Sequence, residues 1–123
     1  MQADVGIRAF INVCLFTAPS FSGAASRASE FGIGELQDMG FTQMGFSADH
    51  SLGLQVSRGK ECTITTPDRP RISRLRKSFA AALSNATGQD VSELFPQVVS
   101  LNGQSYIIQF DSNGGEAYVI LKR

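Results

Sequence analysis

The sequence predicts one α+β domain over residues 1–123, built from helices and antiparallel sheet. Three observations lead to this fold class. Apolar residues recur with helical spacing through the first thirty positions. Short strand-like stretches follow from about position 41, with apolar-polar alternation at Leu52 to Ser57, and again after position 97, where glycine turns separate them. A capped amphipathic segment lies between these two strand-rich regions. The predicted order is helix, helix, three strands, helix, three strands. This order is typical of two loose copies of an α-βββ unit.

The N-terminal part is predicted to hold two helices. The first covers Val5 to Phe16, behind an N-cap at Asp4, and turns Cys14 inward with Ile7 and Phe10. The second begins near Ser20 or Ser22 and ends near Phe31, with alanines on its inward face. One more helical turn is expected over residues 35–39, stopped by Gly40.

Two three-strand meanders are predicted, with a third helix between them. This helix is capped by Asp68, has Pro70 in its first turn and stops at Gly88. The Asn102-Gly103 pair is a strong signal for a tight hairpin, and a longer loop is expected from Asp111 to Gly115. The predicted strands are Phe41 to Phe46, Leu52 to Ser57, Glu61 to Thr66, Gln97 to Leu101, Gln104 to Phe110 and Glu116 to Lys122.

Cys14 and Cys62 are predicted to form a structural disulfide. One lies on the inward face of the first helix and the other on the inward face of a strand, and joining them closes a loop of about 49 residues. Two buried free thiols are the first alternative. A reactive thiol is the second, although Cys14 lies near a helix C-terminus, which is the end that does not lower a thiol pKa.

The compartment is predicted to be periplasmic or secreted, with a cytoplasmic location as the alternative. A pair of cysteines in a small domain favours an oxidising environment. The first residues lack the layout of a signal peptide. The start Met1-Gln2-Ala3-Asp4 is interpreted as an added methionine in front of a mature chain from which a signal peptide has been removed. No apolar run is long enough for a transmembrane helix.

Patterns for common enzyme chemistry are not found. His50 is the only histidine and lies in a polar turn beside Asp49, without metal-ligand spacing or a nucleophile motif. The glycines at 32–34 and 114–115 do not continue into a phosphate-binding loop. The sequence therefore predicts no catalytic residue, no metal site and no cofactor.

The charge is zero overall but unevenly distributed. Residues 58–79 hold seven of the eleven basic side chains against Glu61 and Asp68, a local net charge of +5. Part of this charge is the solvated face of the third helix, as expected for an amphipathic helix. The competing interpretation is a site for a small anion or an acidic protein, without specific nucleic-acid binding because no aromatic residues interleave. Its candidate residues are Arg58, Lys60, Arg69, Arg71 and Arg74.

About half of the chain resembles small, exported, uncharacterised two-cysteine proteins of alphaproteobacteria. The resemblance rests on residues 10–14 (Phe-Ile-Asn-Val-Cys), on the alanine-rich second helix closing on Gly-Phe, and on residues 62–67 (Cys-Thr-Ile-Thr-Thr-Pro) before a helix. It implies an exported, disulfide-bonded protein and transfers no catalytic residue.

The function expected from these observations is that of a non-enzymatic exported domain, a binding or accessory protein with a basic surface around the third helix. The alternative is an inhibitor or immunity-type protein that blocks a secreted partner through an edge strand or loop. A small hydrolase or redox enzyme is the third and least favoured hypothesis, and it would depend on His50 or Cys14.

Overall fold

A computed structural model describes residues 5–18, 20–67, 72–101, 103–113 and 116–123. Among these residues, one antiparallel sheet of seven strands forms the centre of the molecule, in the order β1-β2-β3-β4-β7-β6-β5. The strands are β1 (Gln37–Asp38), β2 (Gln43–Phe46), β3 (Gly53–Ser57), β4 (Glu61–Pro67), β5 (Gln97–Leu101), β6 (Gln104–Asn113) and β7 (Glu116–Lys122).

Helical segments precede β1 and separate β4 from β5. The first is α1 (Val5–Ala9), which continues as a π-helical turn (Phe10–Cys14) and a 3₁₀ turn (Leu15–Thr17). The others are α2 (Ala24–Ser29) and α3 (Ile72–Thr87). Gly88, with φ of 69°, ends α3 and donates its N–H to the Ser84 carbonyl, which confirms the predicted stop.

The α+β class is confirmed, but the prediction of two three-strand meanders is wrong in strand count and order, since the described sheet has seven strands in the order β1-β2-β3-β4-β7-β6-β5. Strand β4 pairs along its whole length with β7, so the two meanders join into one sheet. The predicted helical turn at residues 35–39 is also wrong. Gln37 and Asp38 form the edge strand β1, and Gly40, with φ of 98°, lies in the turn to β2 instead of ending a helix. Asp38 accepts the Gly40 N–H, which favours the turn over another helical residue.

One face of the sheet carries the core. Alternate residues of the central strands are buried on it, and the register places Cys62 beside Leu121 and Ile64 beside Val119. Phe10 and Phe79 meet edge to face, at 5.2 Å between ring centroids, and join the first helical segment to α3. Cys14 is fully buried there and is bonded to Cys62, at a Cα separation of 5.5 Å. The predicted disulfide is thus confirmed.

Candidate functional site

The turn between β3 and β4 holds two of the predicted binding residues, Arg58 and Lys60, and both side chains are exposed. Gly59 provides the positive φ, 70°, that this tight turn requires. Lys60 donates its N–H to the Ser57 carbonyl, and Gly59 donates to the Ser20 carbonyl in the segment before α2. The turn is therefore held by backbone bonds on both sides and presents its cations to solvent.

The end of β7 adds two cations that the sequence did not point to. Arg123 donates its backbone N–H to the Lys60 carbonyl at 3.0 Å, and its Nη1 donates to the Gly59 carbonyl at 3.2 Å. Lys122 lies directly across from Glu61 in the β4–β7 register. Arg58, Lys60, Lys122 and Arg123 are called the turn cluster below.

The turn cluster is strongly positive. Residues 58–61 and 122–123 together carry four cationic side chains and one carboxylate side chain, that of Glu61. Within the described part of the chain, none of the four cations forms an ion pair. Arg58, Lys60 and Arg123 are exposed and Lys122 is half-buried, and cations grouped in this way without an ion pair attract an anion or an acidic surface.

The other predicted binding residues belong elsewhere in the chain. Arg69 and Arg71 lie outside the described residues, and Arg74 belongs to the first turn of α3, with a side chain that is likewise not described. The described part of α3 follows the Pro67 end of β4, whereas the turn cluster lies at its Glu61 end. Seven residues of strand span about 20 Å. The structure thus groups Arg58 and Lys60 with the end of β7, without a described contact to the start of α3.

Arg76, one of the cations of α3, packs on the core. Its guanidinium lies over the Phe110 ring at 5.6 Å from the centroid, and its Nε is buried without a hydrogen-bond partner in the described residues. This cation–π contact orients Arg76 toward the sheet. Lys77, next to it, is exposed.

A cleft of about 260 Å³ opens beside Arg58, on the helix side of the sheet. Its floor comes from Gln43 and Val56 of the sheet and its wall from Ala24 and Ala25 of α2. Of the alanines predicted to face inward from the second helix, Ala24 and Ala28 are buried, whereas Ala25 is exposed on the wall of this cleft. The other lining residues are Phe21, Ser22, Leu36, Asp38, Gly40, Phe41 and Arg58.

Two phenylalanines line this cleft in different ways. Phe41 is 96% exposed, in the turn between β1 and β2. Phe21 is buried and holds a φ of 60°, a left-handed backbone conformation that costs a bulky residue about 1–3 kcal/mol. Hydrogen bonds from the Phe21 N–H to Thr17 and from the Ala24 N–H to Phe21 hold the strained backbone. Such strain is concentrated at binding sites more than elsewhere in proteins.

The turn between β2 and β3 holds His50, and its contacts are structural. Its ring is tilted against Phe46 at 5.4 Å between centroids, and its side chain is exposed. Asp49 accepts hydrogen bonds from the Ser51 N–H and from the hydroxyls of Ser51 and Ser47, at 2.7 to 2.9 Å. These bonds lower the pKa of Asp49 from 3.8 to about 2, the Ser51 N–H contributing most. No group of three potential metal ligands occurs among the described residues.

The Asp49 bonds predict a pH dependence of stability. The folded pKa lies below the unfolded one, so the stabilisation is present above about pH 4 and is lost as the pH falls toward 2. Asp49→Asn should lower Tm at pH 7. The difference in Tm between wild type and this variant should become smaller between pH 5 and pH 2, in thermal melts followed by circular dichroism. Asp90 is an exposed carboxylate outside this turn, and Asp90→Asn is the control. The difference in Tm between this variant and wild type should stay constant over the same pH range. A difference for Asp49→Asn that stays constant down to pH 2 would contradict the role given to the charge.

Comparison of the chain with protein-family models, with curated proteins and with solved structures gave no match. The resemblance to exported alphaproteobacterial proteins therefore stays a prediction. Within the described residues, no helix has the length and apolar character needed to cross a membrane.

Proposed function

We propose that the chain is a non-enzymatic binding or accessory domain of an oxidising compartment, periplasmic or extracellular, and that it holds an acidic partner at the turn cluster. The observation that carries the proposal is the pairing of β4 with β7. This pairing sets Arg123 against the Gly59 and Lys60 carbonyls and joins two separate basic stretches into one exposed patch.

The disulfide supports the compartment. Cys14 and Cys62 are fully buried and bonded to each other, as expected of a bridge that maintains a small domain outside the reducing cytosol. The same burial supports a non-enzymatic role, because a catalytic thiol needs exposure and a lowered pKa. The His50 ring is tilted against Phe46 in an exposed turn, and the described Ser47 and Ser51 hydroxyls of that turn bond to Asp49 and not to His50, so no hydroxyl is placed for activation by His50.

Paired charge reversals test which basic surface binds. The probe is a fluorescein-labelled heptapeptide with four glutamates around a Gly-Ala-Gly centre, and binding is followed by fluorescence anisotropy. Arg58→Glu with Arg123→Glu should weaken binding about tenfold or more, because two attractions become repulsions. Arg74→Glu with Lys77→Glu changes the net charge equally and should leave binding within about twofold.

Each outcome of this comparison decides between surfaces. Loss of binding only in the Arg74/Lys77 pair would move the site to α3, as the sequence first indicated. Binding that is insensitive to both pairs, or that does not weaken between about 50 and 300 mM salt, would refute an electrostatic site.

An inhibitor or immunity-type protein is the second candidate, and the turn between β1 and β2 favours it. Met39 and Phe41 are 61% and 96% exposed in this turn. Exposed large apolar side chains of this kind are the ones that insert into pockets of a partner protein. An edge-strand contact through β5 is disfavoured, because the Gln89 side-chain amide occupies both backbone groups of Ser100, at 2.6 and 3.1 Å. Blocking of a secreted partner that survives the Arg58/Arg123 reversal but fails in Phe41→Ser would support this candidate.

A further inference from the structure

We infer that residues 89–94, called the strap below, cover the outer edge of β5 and keep this strand from pairing with β5 of a second copy of the chain. The strap lies where the next strand of the sheet would lie, and it bonds to β5 through glutamine side chains. The inference does not depend on the turn cluster, and it concerns self-association instead of the binding of an acidic partner.

The side chains of β5 give this edge strand little protection of their own. It is the last strand in the sheet order, and its residues Gln97–Leu101 carry no charge. Edge strands in proteins are usually protected by charged residues, by proline, by a very short length or by a covering segment. The opposite edge strand, β1, has two residues, one of them Asp38, whereas β5 has five, and Val98 among them is 66% exposed. A covering segment is therefore the protection that β5 needs.

The Gln89 side-chain amide bonds to β5 as the backbone of a neighbouring strand would. Its Nε2 donates to the Ser100 carbonyl at 2.6 Å, and its Oε1 accepts the Ser100 N–H at 3.1 Å. In an antiparallel pair the two backbone groups of every second residue point away from the partner strand, so Ser100 and Val98 both turn these groups away from β6. Gln89 thus occupies two of the four outward groups that these two residues offer.

A second glutamine holds the other end of the strap. The Gln97 Nε2 donates to the Ser92 carbonyl at 2.7 Å and to the Leu94 carbonyl at 3.1 Å, and its Oε1 accepts the Ser92 N–H at 3.3 Å. Gln89 thus lies beside Ser100, and Ser92 lies beside Gln97. The strap therefore runs antiparallel to β5, with side-chain amides in place of a backbone ladder.

The middle of the strap is anchored on the core. Val91 is buried, its N–H bonds to the Ser84 hydroxyl of α3 at 2.9 Å, and the same hydroxyl lies 3.3 Å from the Val91 carbonyl, to which it donates. Both backbone groups of Val91 are occupied in this way. The strap therefore ends the sheet and does not present a new edge of its own.

An uncovered β5 is complementary to itself. About a two-fold axis at Val99, Val98 of one copy lies opposite Ser100 of the other, and the outward groups of these residues form four backbone hydrogen bonds. The paired strands bring no charged side chains together, because Gln97–Leu101 has none. While Gln89 is bonded to Ser100, these four bonds cannot form.

Removal of the Gln89 amide tests the inference by sedimentation equilibrium. Gln89→Ala should self-associate at least about tenfold more tightly than wild type, because the Ser100 backbone groups of both copies become available. Gln55→Ala is the matched control and should associate as wild type does. Gln55 is an exposed glutamine of β3, away from both edges of the sheet, and its side chain has no described hydrogen bond.

A charge on the β5 edge should reverse this association and so locate it. Gln89→Ala with Val98→Lys should sediment as wild type does, because the two lysines would lie about 7–8 Å apart across the paired strands and repel each other. Gln89→Ala with Gln55→Lys adds the same charge to the same face of the sheet away from the edge, and it should still associate.

Amide hydrogen exchange of wild type tests the strap without any substitution. Relative to its intrinsic rate, the Ser100 N–H should exchange more slowly than the Val98 N–H, and Gln89→Ala should abolish this difference. Equal protection of the two amides in wild type, or association of Gln89→Ala no tighter than that of wild type, would overturn the inference. Association that persists when Val98→Lys is added would place the contact on another surface and would equally refute β5 pairing.

Discussion

Replacing both cysteines, as in Cys14→Ala with Cys62→Ala, is expected to lower the free energy of unfolding by about 4 kcal/mol. The bridge spans a sequence separation of 48 residues, so its loss gives the unfolded chain much more conformational freedom. It also ties the π-helical turn to β4, the strand where the two halves of the sheet meet. A domain of this size has about 5–15 kcal/mol of stability in total, so the effect is large.

Urea denaturation followed by circular dichroism measures this loss. The companion measurement is urea denaturation of wild type in the presence of dithiothreitol, which reduces the bridge. Its urea midpoint should approach that of the double variant. A thiol assay on denatured, unreduced wild type should find no free cysteine. Equal urea midpoints for wild type and the double variant would contradict the stabilising role of the bridge. Two free thiols would contradict the bridge itself and the compartment inferred from it.

Gly6→Ala is the second change with a large expected effect. Gly6 is buried in α1, and a Cβ at this position would overlap the Thr66 side chain on β4, which is itself 2% exposed. The Thr66 Cβ lies 2.5 Å from the added atom, and because that atom is fixed to the backbone, a change of rotamer does not relieve the overlap. Overpacking costs about 1–3 kcal/mol, while alanine regains up to about 1 kcal/mol of helix propensity. The cost of the overlap therefore exceeds the gain in helix propensity, and the free energy of unfolding is expected to fall by about 1–2 kcal/mol.

The control for this substitution is Gly34→Ala. No atom lies within 4 Å of a Cβ built at Gly34, and its φ is not positive, so alanine is accommodated there. In paired urea titrations Gly34→Ala should match wild type within about 0.5 kcal/mol. Equal midpoints for both variants would show that α1 and β4 do not approach as closely as described.

The helices and most strand positions could be predicted because their signals are local. Short apolar stretches bounded by the Asn102-Gly103 turn and the glycine-rich loop after Phe110 gave the strand ranges 97–101 and 116–122, and Gly88 marked the end of α3 through its backbone preference. The pairing of β4 with β7 could not be predicted, since the two strands are separated by about fifty residues and alternation does not say which strands are neighbours. The β1 strand was missed because two residues are too few to show any period.

The candidate site was predicted in part for the same reason. Arg58 and Lys60 stand out in the sequence as exposed cations in a glycine turn, and the structure places them there. Lys122 is the last residue of β7 and Arg123 follows it, and only the β4–β7 register reveals their position beside the Arg58–Lys60 turn. The cleft depends on small residues of α2 facing β1, an edge strand that sequence reasoning had interpreted as helix.

Amide chemical-shift mapping with the unlabelled form of the heptapeptide that has four glutamates around a Gly-Ala-Gly centre tests the central claim most directly, because it locates the bound peptide without any substitution in the protein. In ¹⁵N-labelled protein the largest shifts should fall on Gly59, Lys60 and Arg123, which share backbone hydrogen bonds in the turn cluster. The Lys77 amide should stay unshifted. Shifts centred on α3, or scattered without any at Gly59 and Arg123, would contradict a binding site made by the joining of β4 and β7.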